Sequence, residues 1–191
     1  MDHDKEDLQR YLQQLREAVI WKMEGLTQRQ LRWPQTPSGT NLLGMVKHLS
    51  ALEFGYLGMV FDRPGEPTPW LGPEAEPEED MWATPDESSA WLLGLYGRAC
   101  AHANETIASL SLDSTGYVPW WSEEKRHPTL HTIIVHVTIE TARHLGHIDI
   151  VRELTDGGIG LYAHNANTPG WDPEKLRRHK ARLEEVALGF D

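Results

Sequence analysis

The sequence predicts an all-α fold, an up-and-down four-helix bundle with a short extra helix at the C-terminus. Three observations carry this. Apolar residues recur at steps of three and four along nearly the whole chain, with no sustained alternation of the kind a strand needs. Prolines and glycines cut the pattern into four stretches of about 20 to 27 residues, long enough to bury a face against one another. The 191 residues suit one domain, which at that size buries roughly 70% of its unfolded surface and needs no staples to fold.

The first helix is expected over about Lys5–Glu24, where Leu8, Tyr11, Leu12, Leu15 and Val19 share a face and Gly25 follows as a C-terminal cap. The two prolines and the glycine of Trp33-Pro34-Gln35-Thr36-Pro37-Ser38-Gly39 cannot continue a helix, so this is a loop. The second helix, about Thr40–Phe61, spaces Met45, Leu49, Leu52, Tyr56 and Met59 helically, and Asp62-Arg63-Pro64-Gly65 ends it. Residues 62–80 hold five prolines, seven acids and one base. A solvated surface loop is the plain expectation for such a stretch, a lid over a pocket the sharper one. Thr84-Pro85-Asp86-Glu87 has the form of a capping box with Pro at the first helical position. The third helix is expected from there to about Leu110, carrying Trp91, Leu92, Leu95, Ala99 and Ile107 on its apolar face. A loop from Asp113 to Pro128 contains Trp120-Trp121, and the fourth helix, about Thr129–Thr155, stops at Gly157-Gly158. Asn165–Gly170 is a loop and Pro173–Leu188 a short charged helix. The bundle is expected over residues 1–160, with the loop and short helix of 161–191 packed on the same domain.

Composition excludes several function classes. The formal charge is −11, with no long basic run, which disfavours a phosphate-backbone binder and hence a nucleic-acid partner. The basic turn and a half at Lys175–Lys180 is expected to be a solvated face. A single cysteine, Cys100, rules out an internal disulfide and fits a reducing compartment. The charged N-terminus lacks an apolar core for a secretory signal, and the longest apolar stretches, such as Gly55–Phe61, fall far short of the ~20 residues a membrane span needs. A cytoplasmic protein with no membrane partner is therefore expected.

Chemistry concentrates on the fourth helix, since five of the ten His fall between His127 and His147. Glu140 and His144 continue the apolar stripe of Ile133, Val137, Thr141, Ile148 and Val151, one turn apart and aimed at the core. A carboxylate and an imidazole buried together are costly unless compensated, and a divalent metal compensates both. His48, on the inward face of the second helix with Met45, Leu52 and Tyr56, would complete a His₂Glu set with open coordination positions. Spacing alone leaves other readings open. A lone inward His is more often a hydrogen-bonded core residue, Glu140 and His144 form an ion pair equally well without metal, and His136 and His147 compete as ligands.

The segment Lys47-His48-Leu49-Ser50-Ala51-Leu52-Glu53 resembles the second-helix motif of the DinB superfamily of metal-binding four-helix bundles, and Val135–Asp149, with His136, Glu140, His144 and His147, resembles its last-helix motif. Trp120-Trp121 before that helix and Arg152–Gly157 after it suit the actinobacterial-type branch. The resemblance covers about residues 5–160. It implies a divalent metal, zinc or nickel, held by His48, Glu140 and His144, with Glu140 where many members have a third His. That places the chain beside the His-Glu-His subset, which includes mycothiol-dependent maleylpyruvate isomerases. Those enzymes carry a further C-terminal domain for which 191 residues leave no room. His147 stands where many relatives have Gln and is expected to sit behind the ligands. Homodimers are common in the family.

The expected function is a metal-dependent thiol S-transferase, using mycothiol or bacillithiol in detoxification or stress response. An open position on the metal takes a thiol and deprotonates it. Two alternatives belong beside this reading. With water in that position the protein is a metal-dependent hydrolase, and without catalysis it is a dimeric metal-binding or interaction module. No catalytic side chain is assigned. Arg143, His147 and Trp121 are candidate helpers: Arg143 to reach an anionic substrate, Trp121 with Trp120 to wall a pocket. Cys100, between alanines in the third helix, is expected to be a small core residue rather than a nucleophile.

Overall fold

Capping side chains decide where the helices begin. The computed structural model describes residues 3–72, 74–162, 164–166 and 169–190; Asn167 and Thr168 of the expected Asn165–Gly170 loop lie outside the described residues. The helices are α1 (His3–Trp21), α2 (Gln28–Arg32), α3 (Leu42–Tyr56), α4 (Ser89–Ser109), α5 (Leu130–Asp156) and α6 (Pro173–Leu188), and the described residues contain no strand. Asn41 accepts from the Gly44 N–H at 2.8 Å to start α3, Ser88 from Trp91 at 3.1 Å to start α4, and Thr129 from Thr132 at 3.3 Å to start α5. Gly157 closes α5 in the left-handed region at φ +78°. None of the described helices is long and apolar enough to cross a membrane.

The all-helical expectation holds, with four adjustments. α1 stops at Trp21 rather than Glu24, and α3 stops at Tyr56 rather than Phe61. Beyond α3 the chain tightens after Gly58 into a 3₁₀ turn, Met59–Phe61, and reverses at Asp62 (φ +55°). α4 starts at Ser89 although Glu87 does reach back to the Thr84 N–H at 2.8 Å. That half of the box closes a separate turn, because the buried Lys47 ammonium holds the Glu87 carboxylate at 3.0 Å and Ser88 takes over as cap. The short α2 escaped the periodicity, yet Thr27 and Gln30 form a complete capping box.

Helix α3 packs against α4 and α5, and α1 against α5 and α4. The stripe expected on α5, Ile133, Val137, Thr141, Ile148 and Val151, is buried throughout. Tyr11, Met59 and Trp91, expected on apolar faces, are exposed. Met59 lies past the end of its helix, and Trp91 sits in the first turn of α4 with its ring edge-on to the buried Trp70. The residues form two compact units, Met1–Ile159 with α1 to α5, and Gly160–Asp191 with α6. In the second unit Asp172 caps α6 through the Lys175 N–H at 2.8 Å, and the Trp171 ring meets that of His179.

A buried ion pair crosses the first unit. Arg16 of α1 donates to both carboxylate oxygens of Glu53 on α3, at 2.7 and 2.6 Å, and its third nitrogen donates to Asn104 Oδ1 of α4 at 2.9 Å. Both charged side chains are 1% exposed. Burial opposes the guanidinium charge, but Glu53 outweighs it and holds Arg16 above its ordinary pKa.

Cys100 is a core residue as expected. Burial, reinforced by Glu53, pushes its thiol up to about 12. Iodoacetamide at pH 8 is therefore expected to leave the native protein unmodified over hours and to alkylate it fully once guanidinium unfolds it. Mass spectrometry reads both states, and rapid native labelling would refute the assignment.

Candidate metal centre and adjoining cavity

His48 lies in the middle of α3, and its Nδ1 is 2.5 Å from Asp80 Oδ2. A carboxylate only accepts, so Nδ1 donates and a neutral His48 keeps its Nε2 lone pair free. The hydrogen bond from His48 holds the Asp80 carboxyl below its ordinary value despite partial burial. Asp80 stands on a 3₁₀ turn, Glu79–Met81, which can lie on α3 only because residue 44 is glycine. A Cβ there would sit 1.8 Å from the Met81 carbonyl oxygen, and Asn41 Nδ2 donates to that same oxygen at 3.0 Å. Gly44→Ala is accordingly expected to push the turn off α3. The overpacking should cost about 1–3 kcal/mol in a urea titration and free the His48 ring from Asp80, which NMR would detect as loss of the hydrogen-bonded His48 Nδ1–H resonance. An unchanged midpoint and an unchanged resonance would refute this.

From α5, Glu140 Oε2 approaches His144 Nε2 at 3.7 Å, beyond hydrogen-bond length. The His144 and His48 rings meet edge to face with centroids 4.7 Å apart. Nδ1 of His144 is buried with no hydrogen-bond partner among the described residues. Burial first, then the neighbouring His48, lower the His144 pKa to about 4, so the ring is neutral at physiological pH. The three expected ligands thus meet as two pairs sharing His144. Among the described residues, no three His, Cys, Asp or Glu side chains close on one point as a preformed metal cage. The donor types nonetheless suit a divalent ion: two imidazoles and one carboxylate, with a buried ring nitrogen of His144 that no group among the described residues satisfies.

The other candidates fall into place around this pair. His136, one turn before Glu140, packs its ring against Tyr56 and Trp121, with centroids at 4.6 and 5.0 Å. His147 is exposed, its ring 5.6 Å from that of His144, and Arg143 is exposed on the same helix. Trp121 lies over Tyr56, not over the His48–His144 pair. It is placed by residues 110–129, which fold back through backbone bonds from Tyr117 to Val60 (2.8 Å), Gly116 to Pro128 (2.9 Å) and Val118 to Arg126 (2.8 Å).

A cavity of about 590 Å³ opens beside His48. Asp80 lines it with His48, and Tyr56 and Trp120 line it too. Ala51, Leu52, Gly55 and Met59 come from α3 and the turn after it, and Thr68, Leu71 and Gly72 from the acidic segment. The segment therefore forms part of the cavity wall. Sequence reasoning missed Asp80 as the partner of His48, and no local signal could have supplied it. The two are 32 residues apart, and Asp80 reads as the last of seven acids in a proline-rich stretch.

No curated protein matches the chain. A family model described as mycothiol-S-transferase matches residues 7–157, a span that includes His48, Asp80, Glu140, His144 and every residue lining the cavity. It is a DinB-like family, in agreement with the resemblance carried by the α3 and α5 motifs. With most of its length matched, the chain belongs to the mycothiol-S-transferase family.

Proposed function

We propose that the protein joins a low-molecular-weight thiol, mycothiol or a bacillithiol-like relative, to an apolar electrophile, with a divalent metal held by His48, Glu140 and His144 in a DinB-type four-helix bundle of α1, α3, α4 and α5. The observation that carries the reading is the facing pair of imidazoles, His48 and His144, beside a largely apolar cavity in a chain of this family. When bound, zinc or nickel supplies a Lewis acid that lowers the pKa of a thiol reaching its open position.

The chain's own residues do the rest. Asp80 takes the Nδ1 proton of His48 and so fixes which nitrogen is offered to the metal. Burial keeps His144 neutral. Glu140 brings the anionic donor that balances a divalent charge. Ala51, Leu52, Met59 and Leu71 give the electrophile an apolar wall to lie against. The attacking sulfur comes from outside the chain, because Cys100 is buried and its thiol is held protonated. The apolar lining favours a thiol and an apolar acceptor over hydrolysis of an ester or amide. In this reading the protein works in the reducing cytoplasm as a homodimer. An exposed stripe on α5, with Ile139, Ile150 and Leu154 flanking Ala142 and Gly146, supports the pairing.

The test is thiol consumption by purified protein given mycothiol and a benzylic halide. Activity should disappear with a chelator and return with zinc or nickel. No consumption above the uncatalysed rate with either metal, or activity indifferent to chelation, would overturn the reading.

A further inference from the structure

Tyr56 has an unusual hydrogen-bond balance. Its phenolic oxygen accepts from two indoles at once, Trp120 Nε1 at 3.0 Å and Trp121 Nε1 at 3.2 Å. A phenolic oxygen so occupied has one capacity left, donation of its own proton. Among the described residues no acceptor takes that proton. The aromatic rings around Tyr56, those of Trp120, Trp121 and His136, hold its ring edge-on or tilted. The residue is therefore fixed in place as a donor, and it lines the same cavity as His48.

Position limits what the donor can meet. Tyr56 follows His48 by eight residues on α3, about 12 Å of helix rise, and the wall between them is Ala51, Leu52 and Gly55. Such a wall offers nothing to the hydroxyl-rich surface of a sugar-based thiol. An elongated apolar molecule fits along it, with one end at the imidazole pair and the other at the phenol.

We propose that Tyr56 is a specificity-determining hydrogen-bond donor that selects electrophiles with an apolar body and an acceptor oxygen at the end remote from the reacting carbon. It binds and positions, and takes no part in making the carbon–sulfur bond. The inference rests on the thiol-transfer reading only for the word electrophile; the binding preference stands on the cavity alone.

The experiment separates the two. Two unreactive probes of nearly equal shape, 4-methylacetophenone and 4-isopropyltoluene, are titrated into wild type and Tyr56→Phe, with isothermal titration calorimetry as the readout. The ketone should lose about 5- to 10-fold in affinity in the variant, the size of one hydrogen bond, while the hydrocarbon binds both proteins alike. Equal losses for both probes, no loss for either, or no binding to wild type would overturn the proposal. Trp120→Phe, titrated in the same way, removes one of the donors that fix the phenol and should give a smaller loss confined to the ketone, which keeps the question answerable if Tyr56→Phe fails to fold. The corresponding benzylic bromides, offered with mycothiol, then address turnover. A ketone-selective binding loss without thiol transfer would sink the transferase reading and leave the role of Tyr56 intact. Transfer without the binding split would do the reverse.

Discussion

Glu53→Ala is expected to cost about 3–5 kcal/mol of folding stability, enough to unfold a good part of a marginally stable domain at physiological temperature. The cost comes less from the lost attraction than from what is left behind. Arg16 would keep its charge in a site 1% exposed, with Asn104 as its remaining partner. Removing both charges together should be far milder. A double variant Arg16→Met, Glu53→Leu replaces the pair by apolar groups of similar length, and such exchanges are often neutral or stabilising. Urea titrations of the two single variants and the double one form the test. A single variant with wild-type stability, or a double variant as damaged as the singles, would show that the pair is not desolvated in the way its burial indicates.

The second large effect belongs to the metal reading. His144→Ala should weaken zinc binding beyond the roughly 10- to 100-fold that loss of an outer hydrogen-bond partner costs, which is the range expected for Asp80→Ala. Competition with a chromogenic chelator measures both. The metal-free stability of His144→Ala should move much less than that of Glu53→Ala, because among the described residues the His144 side chain makes no hydrogen bond and its Nδ1 is left orphaned. Zinc that binds His144→Ala as tightly as wild type would remove His144 from the ligand set. The three-residue site would fall with it.

What was legible in the sequence was whatever is decided within a few turns of chain. Helix α5 is the clearest case. Its cap Thr129, its stop at Gly157 and its buried stripe all follow from local chemistry, whereas Glu140 and His144, expected to point into the core, are only partly buried. Helix α4 shows where such reading ends. Thr84 and Glu87 carry the right residues for a cap, but Lys47, 40 positions away, claims the carboxylate and moves the start to Ser89. Asp80 and Tyr56 hold their places at the cavity because a turn settles over Gly44 and a distant loop brings two tryptophans to one phenol. The Arg16–Glu53 pair was invisible for a different reason. Periodicity assigns charged residues to the outside, and nothing in either helix alone says that these two find each other.

That pair also acts as a vernier for assembly. Helices α1 and α3 each pack on α4 and α5, and sliding α1 by one turn, about 5.4 Å, would still leave its apolar residues against the apolar faces of those neighbours. In the slipped registers, however, Arg16 would face Leu49 or Leu57, the fully buried residues four positions either side of Glu53. Each wrong alignment strands a naked guanidinium among hydrocarbon, and only one alignment gives it a carboxylate. Greasy faces tell these helices to come together, and a single misfit-intolerant charge tells them where to stop. His48 stands five residues from Glu53 on the same helix, so the contact that fixes the height of α3 also bears on where the imidazoles meet.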